Sequence, residues 1–371
     1  MDDTDDHLIL LYNEDGPIAR GDPQDVLALQ ETVTTSQDLY EALTSLRYPV
    51  TKVAVRGTLD QLEDRLCSFS PKSTFIFNNC DGFNGNNLAA VEVIRLIERM
   101  GFRHTGALAD NVEQCINKAR TKECLMKHGI PTPRYQVYEQ ASGDFDLQFP
   151  VIVKPSVEDA SLGIDLGSVV TDLNSLNARV AYIIETYREP ALVEEFIVGR
   201  ELEVSMWGNK PIECLPISEQ DFSRIASPLE QFLTYESKWV AGTFYFENIP
   251  ACVPAKLTAR EERMVRKAAE GSFRAMGLRD LGRVDIRFRD GIPYVIDVNE
   301  IPDLSLDAGF WNCARAAGLT YAQMAEHILL AGLEREGRRI RTNPIRSRRP
   351  ADTRLRARVP HLQPGGSGVT G

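Results

Sequence analysis

No apolar run in this chain reaches the roughly 18 residues that a bilayer-spanning helix needs, which excludes a helical membrane function. The opening Met1-Asp2-Asp3-Thr4-Asp5-Asp6 lacks the basic start and apolar core of a secretory signal. The seven cysteines are odd in number and have no metal-type spacing, so neither a zinc site nor a disulfide framework is expected. They read as reduced, mostly buried thiols of a cytoplasmic protein, Cys80 among them as a core residue. There is no internal repeat. A glycine–lysine–serine/threonine phosphate loop is missing, and so is a dinucleotide fingerprint.

What is present is a chain of 371 residues, 43% hydrophobic, enough to bury two or three cores. Its formal charge of −11 is unevenly spread: residues 336–371 hold nine arginines against Glu336 and Asp352, about +7, which leaves the body near −18. An acidic body argues against general nucleic-acid binding. The tail carries Pro344, Pro350, Pro360, Pro364 and Gly365-Gly366-Ser367-Gly368, too few apolar residues to pack, and a disordered appendage is expected. An arm for an acidic partner is the alternative.

Three stretches carry chemistry. Gly282-Arg283-Val284-Asp285-Ile286-Arg287 and Asp297-Val298-Asn299-Glu300-Ile301-Pro302 read as two strands joined by a turn at Asp290-Gly291-Ile292-Pro293. Such a hairpin gathers Asp285, Asp297 and Asn299, three oxygen donors that suit a hard cation such as Mg2+ bridging phosphates. Arg283 beside them suits a migrating phosphoryl group. Upstream, Val151-Ile152-Val153-Lys154-Pro155 delivers a lysine at a strand end. A small-residue loop through Ser161 and Gly163 follows, where backbone N–H groups can approach phosphate oxygens. Between them, Ala191-Leu192-Val193-Glu194-Glu195-Phe196-Ile197 ends in carboxylates, turns at Gly199 and resumes with Glu201 and Glu203 alternating with apolar residues. This is either a solvated acidic face or a strand end able to read an adenine edge and a ribose.

In that order, the motifs resemble the ATP-grasp superfamily and its D-alanine–D-alanine ligase-like branch. The resemblance runs from about residue 78 to 330 and includes Thr105-Gly106, Gly129-Ile130-Pro131-Thr132-Pro133 and Tyr235-Glu236-Ser237-Lys238-Trp239. It implies an ADP-forming ligase that uses ATP and Mg2+ (or Mn2+) to activate a small-molecule carboxylate as an acyl phosphate for attack by an amine. By the same resemblance, Lys118 and Lys154 contact phosphates and Ser161 sits in the loop over them. The Glu195 carbonyl and Ile197 amide, flanking Phe196, take the adenine edge, Glu194 its exocyclic side and Glu201 the ribose. Asp285, Asp297 and Asn299 hold the metal, Arg283 stabilises the acyl phosphate, and Lys238 closes with a lid over residues 220–242. Relatives in the branch are often homodimers.

The departures bear on substrate. Asp297 stands for the usual glutamate, Asp303 for a glycine whose amide helps the oxyanion, and Ala308 for a serine that binds the second substrate's carboxylate. Asp81 replaces a histidine near the first substrate, Trp239 the lid tyrosine and Ala160 the first of two loop serines. Glu31 aligns, across a one-residue gap, with the residue that grips the first substrate's amine. A tailoring ligase for an amino acid or specialised metabolite therefore fits better than a housekeeping D-alanine ligase. A mycosporine-type condensing ligase, kinase- or carboxylase-like use of the acyl phosphate, and a non-catalytic ATP-binding module are the other readings.

The expected class is α/β, an α+β ATP-grasp arrangement in four segments. These are an N-terminal parallel-sheet α/β domain over 1–108, a small central mixed domain over 109–190, a larger C-terminal mixed-sheet domain over 191–335 and the disordered basic tail. Strands are expected at 8–13, 50–56 and 73–79. Helices are expected at about 23–46, 59–67, 87–100, 111–128 and 321–336, with another opening at the capping box Thr258-Ala259-Arg260-Glu261.

Overall fold

The structure, a computed structural model, describes residues 4–5, 7–14, 22, 26–83, 85–141 and 143–342. The apolar runs near the N-terminus become strands His7–Asn13, Val50–Val55 and Thr74–Asn79; the first and third are largely buried under helices, while the edge strand Val50–Val55 buries Val53 and Val55. They form a parallel sheet whose order is 50–55, 7–13, 74–79 and then Arg103–His104 at the edge. Helices Val26–Ser45, Leu59–Leu66 and Ala89–Arg99 connect them. Cys80, just past the third strand, is fully buried, as a core residue should be.

One expected helix is in fact two, Ala109–Ile116 and Lys118–Lys127. Asn117 breaks the run: it leaves the helical region, and its side-chain oxygen accepts the Arg120 N–H at 3.0 Å, capping the second helix. The break lets the Lys118 amide donate to the Ser156 carbonyl at 3.0 Å, tying the new helix to the loop after Lys154.

The central unit is a four-stranded sheet in the order Tyr135–Tyr138, Ala191–Glu195, Val151–Pro155, Val169–Val170, with helix Leu173–Tyr187 across it. The larger sheet runs Ala251–Cys252, Ser218–Gln220, Arg200–Gly208, Asp280–Arg289, Ile292–Asn299, with Ile212–Cys214 also on the third of these. Every described pairing in both sheets is antiparallel rather than mixed. Tight turns dictate this for Arg200–Gly208 with Ile212–Cys214 and for Asp280–Arg289 with Ile292–Asn299, since such a turn can only return a strand antiparallel. At the Asp290-Gly291 turn both residues have positive φ (52° and 77°), the primed geometry that matches strand twist.

Helix Ala259–Ala275 opens on the Thr258/Glu261 capping box and packs Val265, Ala269 and Phe273 on the larger sheet. Helix Tyr321–Arg335 is shared. Its Ile328 and Leu329 belong to the same core as Leu8, Phe75 and Phe77 of the N-terminal sheet and Trp311 of helix Gly309–Ala316. Asp280, fully buried, fastens that seam: its carboxylate accepts the Arg335 guanidinium at 2.9 and 2.8 Å, the Asn209 amide at 2.9 Å and the Gly106 N–H at 3.0 Å.

The segment expected to be a disordered tail begins in order, since Arg339–Ile340 pairs in parallel with Thr4–Asp5 and Ile340 joins the core. The remainder of that segment, residues 343–371, lies outside the described residues. No helix among the described residues is long and apolar enough to cross a membrane.

Candidate active site

A cleft of about 1280 Å3 opens where the three units meet. All the candidate site residues named from the sequence line it: Glu31 and Asp81 at the N-terminal sheet, Lys118, Lys154 and Ser161 around the loop, Glu194–Glu195, Phe196, Ile197 and Glu201 at the hinge, Lys238 on the lid, and Arg283, Asp285, Asp297, Asn299 and Asp303 on the larger sheet. Chain folding brings together residues as far apart in sequence as Glu31 and Asp303, about 270 positions.

The floor is a strand face read at every second residue. On strand Asp280–Arg289 it presents Arg283, Asp285 and Arg287, and directly opposite on Arg200–Gly208 stand Ser205, Glu203 and Glu201. On the other side Arg283 pairs with Asn299 and Asp285 with Asp297, beyond which the register shifts by a bulge. Arg283 grips Asp285 through Nε at 2.7 Å and Nη2 at 3.0 Å, a two-point charge-assisted contact. The Asn299 amide donates to Asp285 Oδ2 at 3.2 Å. Burial would lower the Arg283 pKa, but Asp285 and Glu203 raise it, so the guanidinium is fixed as a cation.

Two carboxylates and an amide oxygen in this geometry fit a Mg2+ ion completed by phosphate oxygens and water better than an all-protein cage. Among the described residues no three histidine, cysteine or carboxylate side chains converge into such a cage. Burial pushes the Asp297 pKa up, yet Lys118 and Lys154 bring it below the usual carboxylate range, so it is ionised as a ligand must be.

Over the floor hangs the loop 156–164. Ala160 and Ser161 both hold positive φ, 53° and 61°, costly for residues with a Cβ and sustained only by surrounding contacts. Those contacts come from the lid: Trp239 Nε1 donates to the Ala160 carbonyl at 2.9 Å, and the Tyr235 N–H to that of Ile164 at 2.8 Å. Gly163 has φ 68°, and a Cβ there would lie 2.7 Å from Pro155 Cγ. The segment expected as a lid is helical at Tyr235–Trp239, and a second short helix, Phe244–Asn248, follows it.

Several residues that matter were not singled out from the sequence. Lys122, one turn after Lys118, is buried and pairs with Glu194 at 2.5 Å, while Lys154 holds the other oxygen of the same carboxylate at 2.8 Å. Burial raises the Glu194 pKa, but the two lysines outweigh it and the net shift is downward. Glu194 thus orders two lysines with its side chain. Lys118 is held by Asp159 at 3.0 Å and Asp297 at 3.4 Å. Burial opposes its charge, the two carboxylates favour it, and its pKa rises.

Arg287 donates to Glu201 at 2.7 Å and to the Ile197 carbonyl at 2.9 Å, bracing the hinge. Beside that hinge Ile152, Phe196 and Phe232 form a small buried apolar cluster, and all three line the cleft, a surface suited to a flat heterocycle. The signals for Lys122 and Arg287 were their spacings, i+4 on a helix from Lys118 and i+4 on a strand from Arg283.

Comparison with known proteins fits this geometry. The family model described as "D-ala D-ala ligase C-terminus" matches residues 124–330. A D-alanine–D-alanine ligase of Methylacidiphilum infernorum is 31% identical over 300 residues, 80% of this chain and 89% of that protein. An uncharacterised protein of Sinorhizobium fredii is 33% identical over 259 residues, 69% of this chain and 74% of its own. Among solved structures, the D-alanine–D-alanine ligase of Bacillus anthracis in complex with ATP superposes with a TM-score of 0.68 at 20% identity, covering 89% of this chain and 98% of that one.

Proposed function

The chain belongs to the D-alanine–D-alanine ligase family and is an ATP-dependent, ADP-forming carbon–nitrogen ligase, and from that premise we propose that this cleft joins an amino acid or specialised metabolite to an amine other than D-alanine. The single observation that carries the acyl-phosphate chemistry is the convergence on one floor of Arg283, Asp285, Asp297 and Asn299 with Lys118 and Lys154 above them, while the choice of substrate rests on Asp303 and Ala308.

A carboxylate does not acylate an amine at neutral pH, because oxide is a very poor leaving group. Transfer of the terminal phosphoryl group converts it to a mixed anhydride. The amine then attacks the carbonyl carbon, the C–N bond forms, the C–O bond to phosphorus breaks, and phosphate departs with the electron pair. Two anions must meet in the first step, and Lys118, Lys154 and Arg283 offset their repulsion while holding them in line. A divalent metal held by Asp285, Asp297 and Asn299 supplies Lewis-acid charge on the phosphate oxygens when bound. Ile197 and the apolar cluster beside it seat the adenine, and Glu201, braced by Arg287, accepts from the ribose. Trp239 and Lys238 bring the lid onto the phosphate loop, excluding the water that would hydrolyse the anhydride.

Asp303 and Ala308, where the resemblance expects a glycine and a serine, support a substrate pair other than two D-alanines. Seven free cysteines support a reducing, cytoplasmic setting, and the acidic body supports small-molecule rather than nucleic-acid partners. We expect a homodimer, testable by sedimentation. The deciding experiment is a phosphate-release screen of paired acids and amines with mass spectrometry of the product. ATP turnover that never depends on an added amine would overturn the ligation reading, and a product of two D-alanines would overturn the substrate reading.

A further inference from the structure

We propose that the end of the cleft walled by Glu203, Asp303 and Asp307 binds an ammonium group, so that the attacking amine carries a second positive charge where an amino acid carries a carboxylate. This deepens the ligase reading above and rests on it.

The first observation is Glu203. It is 7% exposed, lines the cleft, and its carboxylate accepts no hydrogen bond from any described residue. A buried carboxylate without a hydrogen-bond donor is costly and is ordinarily satisfied by a partner. The charges facing it are Arg283 and Lys238 on one hand and Asp285 and Glu201 on the other. Arg283 is already committed to Asp285 at two points.

The second observation is what Glu203 touches. Its Oε2 lies 2.2 Å from where a Cβ on Gly309 would sit, so the carboxylate rests directly against that glycine. Gly309 opens helix Gly309–Ala316, and Ala308 at the N-cap gives no side-chain cap. The positive end of that helix therefore already faces a carboxylate from within the chain. A substrate carboxylate arriving there would meet Glu203 first, and then Asp303 and Asp307.

The third observation is the scarcity of compensating charge. Asp303 folds back so that the Ser305 N–H donates to it at 2.8 Å and the Ser305 hydroxyl at 3.0 Å. Glu31, on the opposite wall, has its pKa raised by burial and by Asp303, Asp307 and Asp38, a group of like charges waiting for a cation. The cations near this end are Arg283, which faces Asp303 as well as Glu203 but is bonded to Asp285, Lys238, and Arg315, which is exposed and bonds Asn312 at 2.9 Å. Like charges so placed repel an anionic partner and attract a cationic one, the two elements from which specificity is built.

The test uses the full chain with ADP bound and titrates 1,3-diaminopropane and 1,4-diaminobutane by calorimetry, each against the amino acid of equal length and the monoamine. The diamine is expected to bind at least about tenfold more tightly than either comparator. Glu203→Gln should erase most of that preference, and Asp307→Asn, at an exposed position, should reduce it by about half. Equal or tighter binding of the amino acid overturns the proposal, as does an undiminished preference in folded Glu203→Gln. If Glu203→Gln fails to fold, an undiminished preference in Asp307→Asn overturns it instead. ADP binding, measured in the same titrations, separates the two levels: intact nucleotide binding without diamine preference removes this inference alone, and loss of nucleotide binding removes the ligase reading beneath it.

Discussion

Arg287 and Glu201 stand directly opposite on neighbouring strands, and the guanidinium Nη1 lies 2.7 Å from the carboxylate Oε2 with both side chains almost wholly buried. Because Arg287 also holds the Ile197 carbonyl, one cation orients the two groups assigned to the nucleotide's sugar and base.

Replacing Arg287 with alanine leaves a buried carboxylate with no counter-ion. The expected cost is about 3–5 kcal/mol in denaturant unfolding, together with a rise in KM for ATP. Arg287→Lys should recover part of the stability but not the KM, since a lysine cannot hold Glu201 and the Ile197 carbonyl together. An unchanged KM in both variants would remove the hinge role.

Arg283→Ala is expected to lower kcat by about 10²–10³, the usual effect of deleting one donor aimed at developing charge. Lys154→Ala should abolish turnover. Circular dichroism should show both variants folded, and near wild-type rates in either would refute the assignment.

For the metal, Asp297→Asn should move the Mg2+ concentration for half-maximal turnover upward by about tenfold or more, and Asp297→Glu should move it little. Chelation should stop turnover reversibly. A magnesium titration that Asp297→Asn leaves in place would exclude a ligand role.

The acid limb of stability has a definite sign. Glu194 and Asp297 have folded pKa values below their unfolded ones, so the unfolded chain binds more protons as pH falls through the carboxylate range. Their contribution is fully present above the unfolded pKa, about 4.5 for Glu194, and is lost as pH drops towards the folded value. Glu194→Gln should lower stability at neutral pH, because Lys122 and Lys154 lose their partner. It should also flatten the decline between about pH 5 and 3. Urea melts across that range measure both, and an unaltered slope would place the proton uptake elsewhere.

Much of this was legible in the chain because the informative segments obey a period of two. Arg283, Asp285 and Arg287 alternate with apolar residues, and the Asp290-Gly291 turn announces the hairpin. Lys154 was readable as a strand-end cation, whereas Lys118 came only from the family resemblance. What escaped were charges whose meaning depends on the far side of the fold. Lys122 reads as an ordinary surface lysine until Glu194 arrives from residue 194 to neutralise it. Glu203 reads as part of a solvated acidic face until helix Gly309–Ala316 closes over it. The break at Asn117 was missed because residues on either side favour helix, and only the cap and the Ser156 carbonyl interrupt it.

Asp280 has a mechanical consequence. By clasping Arg335, Asn209 and Gly106 at once in a fully buried position, it welds the two larger bodies into a single anvil. Lys154 and Ser161 belong to the small four-stranded unit and its loop, which that clasp does not touch. The small unit joins the larger sheet through the turn at Gly199, where a methyl group would lie 2.5 Å from the Phe288 carbonyl oxygen, so this joint tolerates glycine and little else.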